Sequence, residues 1–447
     1  MAMPTVQRRT STPASRLTRW MHTLKSSLGR PLIAVLVAFI LGMIIVMIAS
    51  PGALGDRFNT AVSAYYNLVM GSFGNIQSIS YTLAKTTPLI FTGLAVALAY
   101  RAGLFNIGAA GQLAVGAMVA GIIGLKLGSL PGVILVPMML VASMLAGAFW
   151  GSIVGILKAW RGAHEVVTSI MLNWIAFYVC AALVEGPFQA PGLSQQTTPL
   201  SASATLPSLA NLYNQTLGTI FGQIPLAAQY TVDVSLLLAF VALVVYWFLT
   251  SRTTFGYSLR VIGQNPKAAR YAGISVKRNL VLAMALAGAF AGLAGATRLM
   301  GQSPYQLISS GFSSDSTGFD AIGVALLGRT TAIGVILSAL LFGGLQQAGP
   351  FLQLNVGVPG DLIYILQALV LFAVAVEYVP SFQRFLPPFM RRTKPVLAPP
   401  LVPNLIKSEA LLEHASGSST AGPPEATLTD NSVGATDAPT PATSQED

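Results

Sequence analysis

Residues 31–49 read PLIAVLVAFILGMIIVMIA, and no charged side chain interrupts them. A helix needs about 20 apolar residues to cross the hydrocarbon layer of a bilayer, and this run has that length. Ahead of it stand Arg8, Arg9, Arg16, Arg19, Lys25 and Arg30, without one acid. A secretory signal has the same layout, but its apolar region is usually about 7–15 residues. The run therefore reads as a retained first span with the N-terminus in the cytoplasm.

Nine more apolar segments follow, at 81–100, 104–124, 130–157, 166–184, 232–250, 280–300, 319–327, 331–348 and 362–378. Composition agrees with a membrane protein. The 447-residue chain is 53% hydrophobic and 9% charged, where an average soluble domain carries about 25% charged residues. So little charge cannot cover a water-facing surface, which excludes a soluble enzyme. The apolar fraction excludes disorder throughout. The 43 Gly and 27 Pro fit the small-residue packing and broken helices of polytopic proteins. Segment 319–327 is too short to span alone and reads as half of a broken helix lining a cavity. The expected fold is all-α and polytopic, with about ten transmembrane helices.

The net charge of +10 is unevenly spread: residues 1–400 carry +16 and residues 401–447 carry −6. Threading ten spans from an inside N-terminus puts Arg101, Lys158, Arg161, Arg329 and the group Arg384, Arg391, Arg392, Lys394 on the cytoplasmic side. The loop 251–278 falls there too, with Arg252, Arg260, Lys267, Arg270, Lys277, Arg278 and no acid, while the external loop 185–231 has no Lys or Arg. Arg57, Lys85, Lys126 and Arg298 land outside, against the positive-inside bias. The clusters are short and lie between apolar runs, so no contiguous basic face exists for a nucleic acid. The chain divides into a basic cytoplasmic segment (1–30), a transmembrane domain (31–380) and a Pro-, Ala-, Ser- and Thr-rich tail (395–447), expected to be disordered in the cytoplasm. Residues 52–80 are polar-aromatic and suit a short helix at the outer surface.

Ionisable groups inside spans are costly, about 2.5–3.5 kcal/mol at the centre on insertion scales. The acids of the body, Asp56, Glu165, Glu185, Asp233, Asp315, Asp320, Asp361 and Glu377, sit nearly all at span ends, as does His164. No chain of protonatable groups crosses the membrane, which argues against an ion-coupled carrier. Neutral amides do enter spans: Asn106, Gln112, Asn173, Gln346, Gln347 and Gln367. They serve either interhelical hydrogen bonding, worth about 0.6 kcal/mol on average, or a polar lining for an uncharged, hydroxylated solute. The spacings Gly147–Gly151–Gly155 and Gly288–Gly292 match close helix packing. Phe105-Asn106-Ile107-Gly108 opens the third segment and Phe319-Asp320-Ala321-Ile322-Gly323 the eighth. Five spans apart with opposite polarity is what an inverted 5+5 repeat would give. No GxxxxGK[ST] phosphate loop is present, His164-Glu165 lacks the second histidine of a zinc pair, and Cys180 is the single cysteine. No cofactor, metal or catalytic residue is expected, and nucleotide hydrolysis by the chain itself is excluded.

The most specific segment is GQNPKAARYAGIS at 263–275. Asn265 can cap a helix with Pro266 at its first position. Ala268, Ala269 and Ala272 give it a small-residue face, and Gly273 supplies the left-handed stop. This reads either as a surface helix that holds a topology signal or as a docking helix for another protein. The loop resembles the coupling segment of permease subunits in bacterial ATP-binding-cassette importers of the branched-chain amino acid/ribose type. RAGLFNIGAAGQLAVGAM (101–118) and GAHEVVTSIMLNWIA (162–176) look like the subgroup that carries nucleosides. The resemblance covers roughly residues 30–380.

That resemblance implies a multi-pass subunit of the bacterial cytoplasmic membrane with both termini inside. Two permeases, identical or homologous, would join two cytoplasmic ATP-binding subunits and an extracellular or periplasmic substrate-binding lipoprotein, with ATP bound by the partners alone. Gly263, Asn265, Pro266, Ala268, Ala269, Ala272 and Gly273 would meet the ATPase. Phe105, Asn106, Gln112, Asn173, Trp174 and Asp320 are placed near the substrate path, with Trp174 or Phe105 offering a ring to a base. Simple sugars or branched-chain amino acids are the alternative cargo, and an ion-coupled secondary transporter is the alternative class.

Overall fold

The computed structural model describes residues 32–376; the basic segment 1–30 and the tail 395–447 lie outside them. The described residues form helices and connecting segments, with two isolated β-bridges and no strand among them. In chain order the helices are α1 (Leu32–Ala49), α2 (Leu54–Phe73), α3 (Ile76–Arg101), α4 (Ala109–Lys126), α5 (Gly132–Ile156) and α6 (Glu165–Glu185). Then come the short α7 (Leu209–Thr216) and α8 (Gly218–Phe221), followed by α9 (Ser235–Arg252), α10 (Thr254–Gln264), α11 (Pro266–Tyr271) and α12 (Val276–Gly301). The series closes with α13 (Gly311–Ser314), α14 (Thr317–Leu327), α15 (Ala332–Val356) and α16 (Leu362–Val376). Each of the ten apolar segments read from the sequence overlaps one of these helices. Eight are long and apolar enough to cross a membrane, α1, α3, α4, α5, α6, α9, α12 and α15. The described parts of α14 and α16 are shorter.

Two boundaries differ from expectation. Residues 52–80 hold a 20-residue helix, α2, rather than a short one. Its Ala61, Ala64 and Leu68 are buried, and it packs on α15 and α3. The third segment, expected from residue 104, becomes helical only at Ala109. Gly103 adopts φ +75° and stops α3, with Gly103 N–H donating to Tyr100 O and Leu104 N–H to Ala99 O. Phe105–Gly108 therefore lies in the connection, whereas Phe319–Gly323 lies inside α14.

The inverted repeat shows in the packing instead. Pair α3 with α12, α4 with α14, α5 with α15 and α6 with α16. Then α12 packs on α4 and α5 as α3 packs on α14 and α15; α4 packs on α5 and α6 as α14 packs on α15 and α16; and α3 and α12 touch each other at the centre. The halves run in opposite senses. The end of α4 lies by the 185–231 segment, where Gly128 O accepts from Ser203 Oγ at 2.7 Å. The end of α14 lies at the opposite face, where Thr330 O accepts from Arg101. The two helices start beside each other in mid-bundle: a Cβ on Gly318 would fall on the backbone of Ala110.

Close approach along α12 explains the glycine spacings. A Cβ on Gly288 would overlap the Gly147 carbonyl, one on Gly292 the Ser143 carbonyl, and one on Gly295 the Leu113 carbonyl of α4. With α5 and α4 both seated directly on its backbone, α12 has no room for side chains on those faces. Overpacking of this kind costs about 1–3 kcal/mol and occasionally more. Gly288→Leu is therefore expected to lower the apparent Tm of the detergent-purified protein by several degrees or to prevent its recovery. Gly55→Ala, at a position with nothing within 4 Å of the added methyl, should leave the same melting curve unchanged.

Candidate functional site

At one end of the bundle α10 and α11 form a compact hairpin of helices. Asn265 Oδ1 accepts from Lys267 N–H at 3.0 Å and from Ala268 N–H at 3.1 Å, and Pro266 occupies the first helical position. The helix ends where Gly273, at φ +75°, donates to Arg270 O at 3.0 Å while Ile274 N–H donates to Ala269 O at 2.9 Å. These paired bonds satisfy the last carbonyls of α11. The three alanines do not share one face. Ala269 is fully buried against Ile262 and Val276, whereas Ala268 and Ala272 are exposed beside Lys267, Arg270 and Tyr271. Tyr271 is 95% exposed. Gly263 serves the fold: a Cβ there would overlap the Arg101 carbonyl, so α10 sits directly on the end of α3.

That end is tied laterally. Arg101 Nε donates to Tyr246 Oη at 3.0 Å and Nη2 to Thr330 O at 2.8 Å, and Tyr246 Oη donates to the same carbonyl at 2.7 Å. Arg101 thereby joins α3, α9 and the turn between α14 and α15 beneath the α10–α11 hairpin. Arg260 donates to Thr250 O, fixing α10 to α9.

The amides expected near a substrate path gather at the start of α4. Asn106 Nδ2 donates to Gln112 Oε1 at 3.0 Å and Gln112 Nε2 donates back to Asn106 Oδ1 at 3.1 Å. Asn173, from α6, accepts from Gly111 N–H at 2.9 Å and donates to Ile107 O at 3.0 Å. All three are buried and bonded within the protein. Asn173 supplies partners for backbone that the break in the helix leaves unpaired, while Asn106 and Gln112 satisfy each other. Phe105 meets Tyr100 edge-on, with ring centroids 6.4 Å apart. Trp174 stacks on Tyr178 at 6.0 Å on the outward face of α6 and is 49% exposed. Neither ring lines the cavity described next.

That cavity lies at the second break, between α12 and α14. It consists of two adjoining pockets, its lobes, of about 240 and 390 Å³, both lined by Lys85, Arg298, Gln302, Gly311 and Asp315. Arg298 is ion-paired with Asp315, and Asp315 Oδ1 caps α14 by accepting from Thr317 N–H at 2.9 Å. Asp320 stands just beyond, accepting from Ser316 Oγ at 2.8 Å and from Gln346 Nε2 at 2.7 Å; Ser316 and Gln346 line the larger lobe. Of the residues placed near the path from sequence, Asp320 alone adjoins the cavity. Lys85 and Arg298 were missed. Their signal was their defiance of the positive-inside pattern: they are cavity residues within long helices, where a topological reading takes them for loop charges. The connecting segment 302–316 is held from the 185–231 side by Thr197 N–H to Leu307 O at 3.0 Å, Ser309 N–H to Gln195 O at 2.9 Å and Gln306 Nε2 to Gln196 Oε1 at 2.8 Å.

Known proteins match this chain in sequence over most of its length. A family model described as branched-chain amino acid transport system / permease component matches residues 78–375. The chain is 36% identical over 356 residues to the guanosine ABC transporter permease protein NupP of Bacillus subtilis, covering 79% of this chain and 94% of that protein. It is 35% identical over 349 residues to the nucleoside ABC transporter permease protein NupB of Lactococcus lactis, covering 78% and 91%. It is 36% identical over 363 residues to the glucose ABC transporter permease protein TsgB13 of Haloferax volcanii, covering 80% and 89%. No solved structure matches the chain. The family match runs from the first turn of α3 into α16, and so takes in both helix breaks, the cavity and the α10–α11 hairpin: the chain belongs to the branched-chain amino acid transport system / permease component family.

Proposed function

We propose that the chain is the permease subunit of a bacterial ATP-binding-cassette importer and that its cargo is nucleosides. It forms the translocation path in the cytoplasmic membrane with a second permease, identical or homologous. ATP is bound by separate cytoplasmic subunits, and a lipoprotein outside the membrane delivers substrate. Both termini lie in the cytoplasm, on the side of α10 and α11. Two relatives named for guanosine or nucleosides, each aligned over more than three quarters of this chain, support the cargo.

The observation that carries the coupling role is the outward half of α11. A short, doubly capped helix presents Ala268, Ala272 and Tyr271 with Lys267 and Arg270 alongside, while Ala269 anchors it from beneath. A rigid helix braced on α10, which itself sits on the ends of α3 and α9, transmits a push as a tilt of those helices rather than as local bending. A glucose permease among the relatives favours a second reading of the same architecture, with a simple sugar as cargo.

Ala268→Glu with Ala272→Glu is expected to leave the chain folded and inserted while abolishing co-purification of the ATP-binding subunit. Retained association and transport would remove the coupling role from α11. Ala269→Glu should instead destabilise the hairpin itself. Asn265→Ala should weaken coupling partially, since losing an N-cap costs about 1 kcal/mol. For the cargo, deletion of the gene should abolish uptake of labelled guanosine. Unchanged guanosine uptake with a fall in glucose uptake would select the sugar reading.

A further inference from the structure

The two lobes of the cavity differ in chemistry. The smaller is walled by aliphatic and aromatic groups, among them Leu113, Ala114, Leu299, Leu307 and Phe312. The larger is walled by hydrogen-bonding groups, among them Ser314, Ser316, Gln346, Gln353, Asp361 and Tyr364. Lys85, Arg298, Gln302 and Asp315 stand at the junction. Arg298 and Asp315 satisfy each other. Among the described residues Lys85 makes no hydrogen bond or ion pair, though it lies close enough to Arg298 to feel its charge. Gln302 commits its Nε2 to Ala84 O at 3.0 Å; its carbonyl oxygen accepts no hydrogen bond from the described residues, and the residue lines both lobes. An ammonium offers three donors and an amide oxygen only accepts, so the junction presents both halves of a hydrogen-bonding edge.

A nucleoside has the same division. Its base offers two apolar π-faces and a polar edge, and proteins hold bases between apolar or aromatic side chains with hydrogen bonds at that edge. Its ribose is a cluster of hydroxyls that both donate and accept. Resting on the nucleoside cargo of the preceding section, we infer that this cavity is the permease's own substrate site, with the base in the apolar lobe, the ribose in the polar lobe and Lys85 and Gln302 on the polar edge between them. A simple sugar would fill only the polar lobe and leave the apolar one without a partner. The site thus selects for the glycosylated base as a unit.

The test uses the assembled transporter with its ATP-binding, partner-permease and lipoprotein subunits. Initial uptake of guanosine, uridine and 2′-deoxyguanosine is measured for wild type, Ala114→Leu, Phe312→Ala and Gln353→Leu. Ala114→Leu narrows the base lobe and should lower the guanosine-to-uridine uptake ratio at least tenfold. Phe312→Ala widens the same lobe and should admit 8-bromoguanosine that wild type takes up poorly, so the lobe is tested even where the leucine variant fails to assemble. Gln353→Leu should reduce the preference for guanosine over 2′-deoxyguanosine severalfold while leaving the purine-to-pyrimidine ratio as in wild type. Assembled variants whose ratios all match wild type overturn this site and leave the cargo standing. A wild type that takes up no nucleoside overturns the cargo itself.

Discussion

Backbone polar groups cannot be left unpaired in hydrocarbon, and this structure interrupts its helices twice where that rule bites hardest. α4 and α14 both begin in mid-bundle, so each exposes the free N–H groups of a first turn away from water. At α4 the debt is met by Asn173 on the Gly111 N–H and the Ile107 carbonyl, beside the Asn106–Gln112 amide pair. At α14 it is met by Asp315, held in turn by Arg298. The difference in solution matters. Neutral amides bonded to backbone and to each other fill the first break, whereas a charged pair at the second leaves polar groups facing an open cavity.

Around these breaks the bundle is built on α3 and α12, which touch each other and carry equivalent neighbours from the two halves. Glycine lets α12 meet α5 and α4 backbone to backbone. Such contacts rest on dispersion at close range, because lipid removes the hydrophobic drive between spans. Tight seams of this kind favour movement of helices as units over local deformation. The Arg101–Tyr246–Thr330 cluster and the Gly263–Arg101 contact lie at one end of those units, and the cavity lies near the other end of α14. The hairpin α10–α11 and the cavity wall are thus joined by continuous packing through α3 and α14.

Much of this was legible in the residues. The apolar runs placed each of the ten helices, because a lipid-facing helix must be apolar along its length. Asn265-Pro266 and Gly273 marked both ends of α11, since capping and the left-handed stop depend on local chemistry alone. The Gly147 and Gly288 spacings announced a close crossing. The buried amides stand out in the sequence, but not their partners: Asn106 and Gln112 bond each other, and Asn173 bonds backbone at the break before α4. Trp174 likewise turned out to face away from the cavity. A sequence reports that a polar group enters a span without saying whether protein or ligand will satisfy it.

What the sequence determined by itself is the membrane-spanning helical class, the charge asymmetry and the capped ends of α11, all properties of one stretch of chain at a time. Tertiary structure alone decided which side of α11 faces out, since Ala268 and Ala269 are adjacent and only packing against Ile262 and Val276 distinguishes them. It alone turned Lys85 and Arg298 from misplaced topology charges into neighbours across one cavity. They sit more than two hundred residues apart in the chain, on the two central helices of opposite halves. The physical reason is that a cavity is a property of the space between elements, and no single element's pattern encodes what stands across from it.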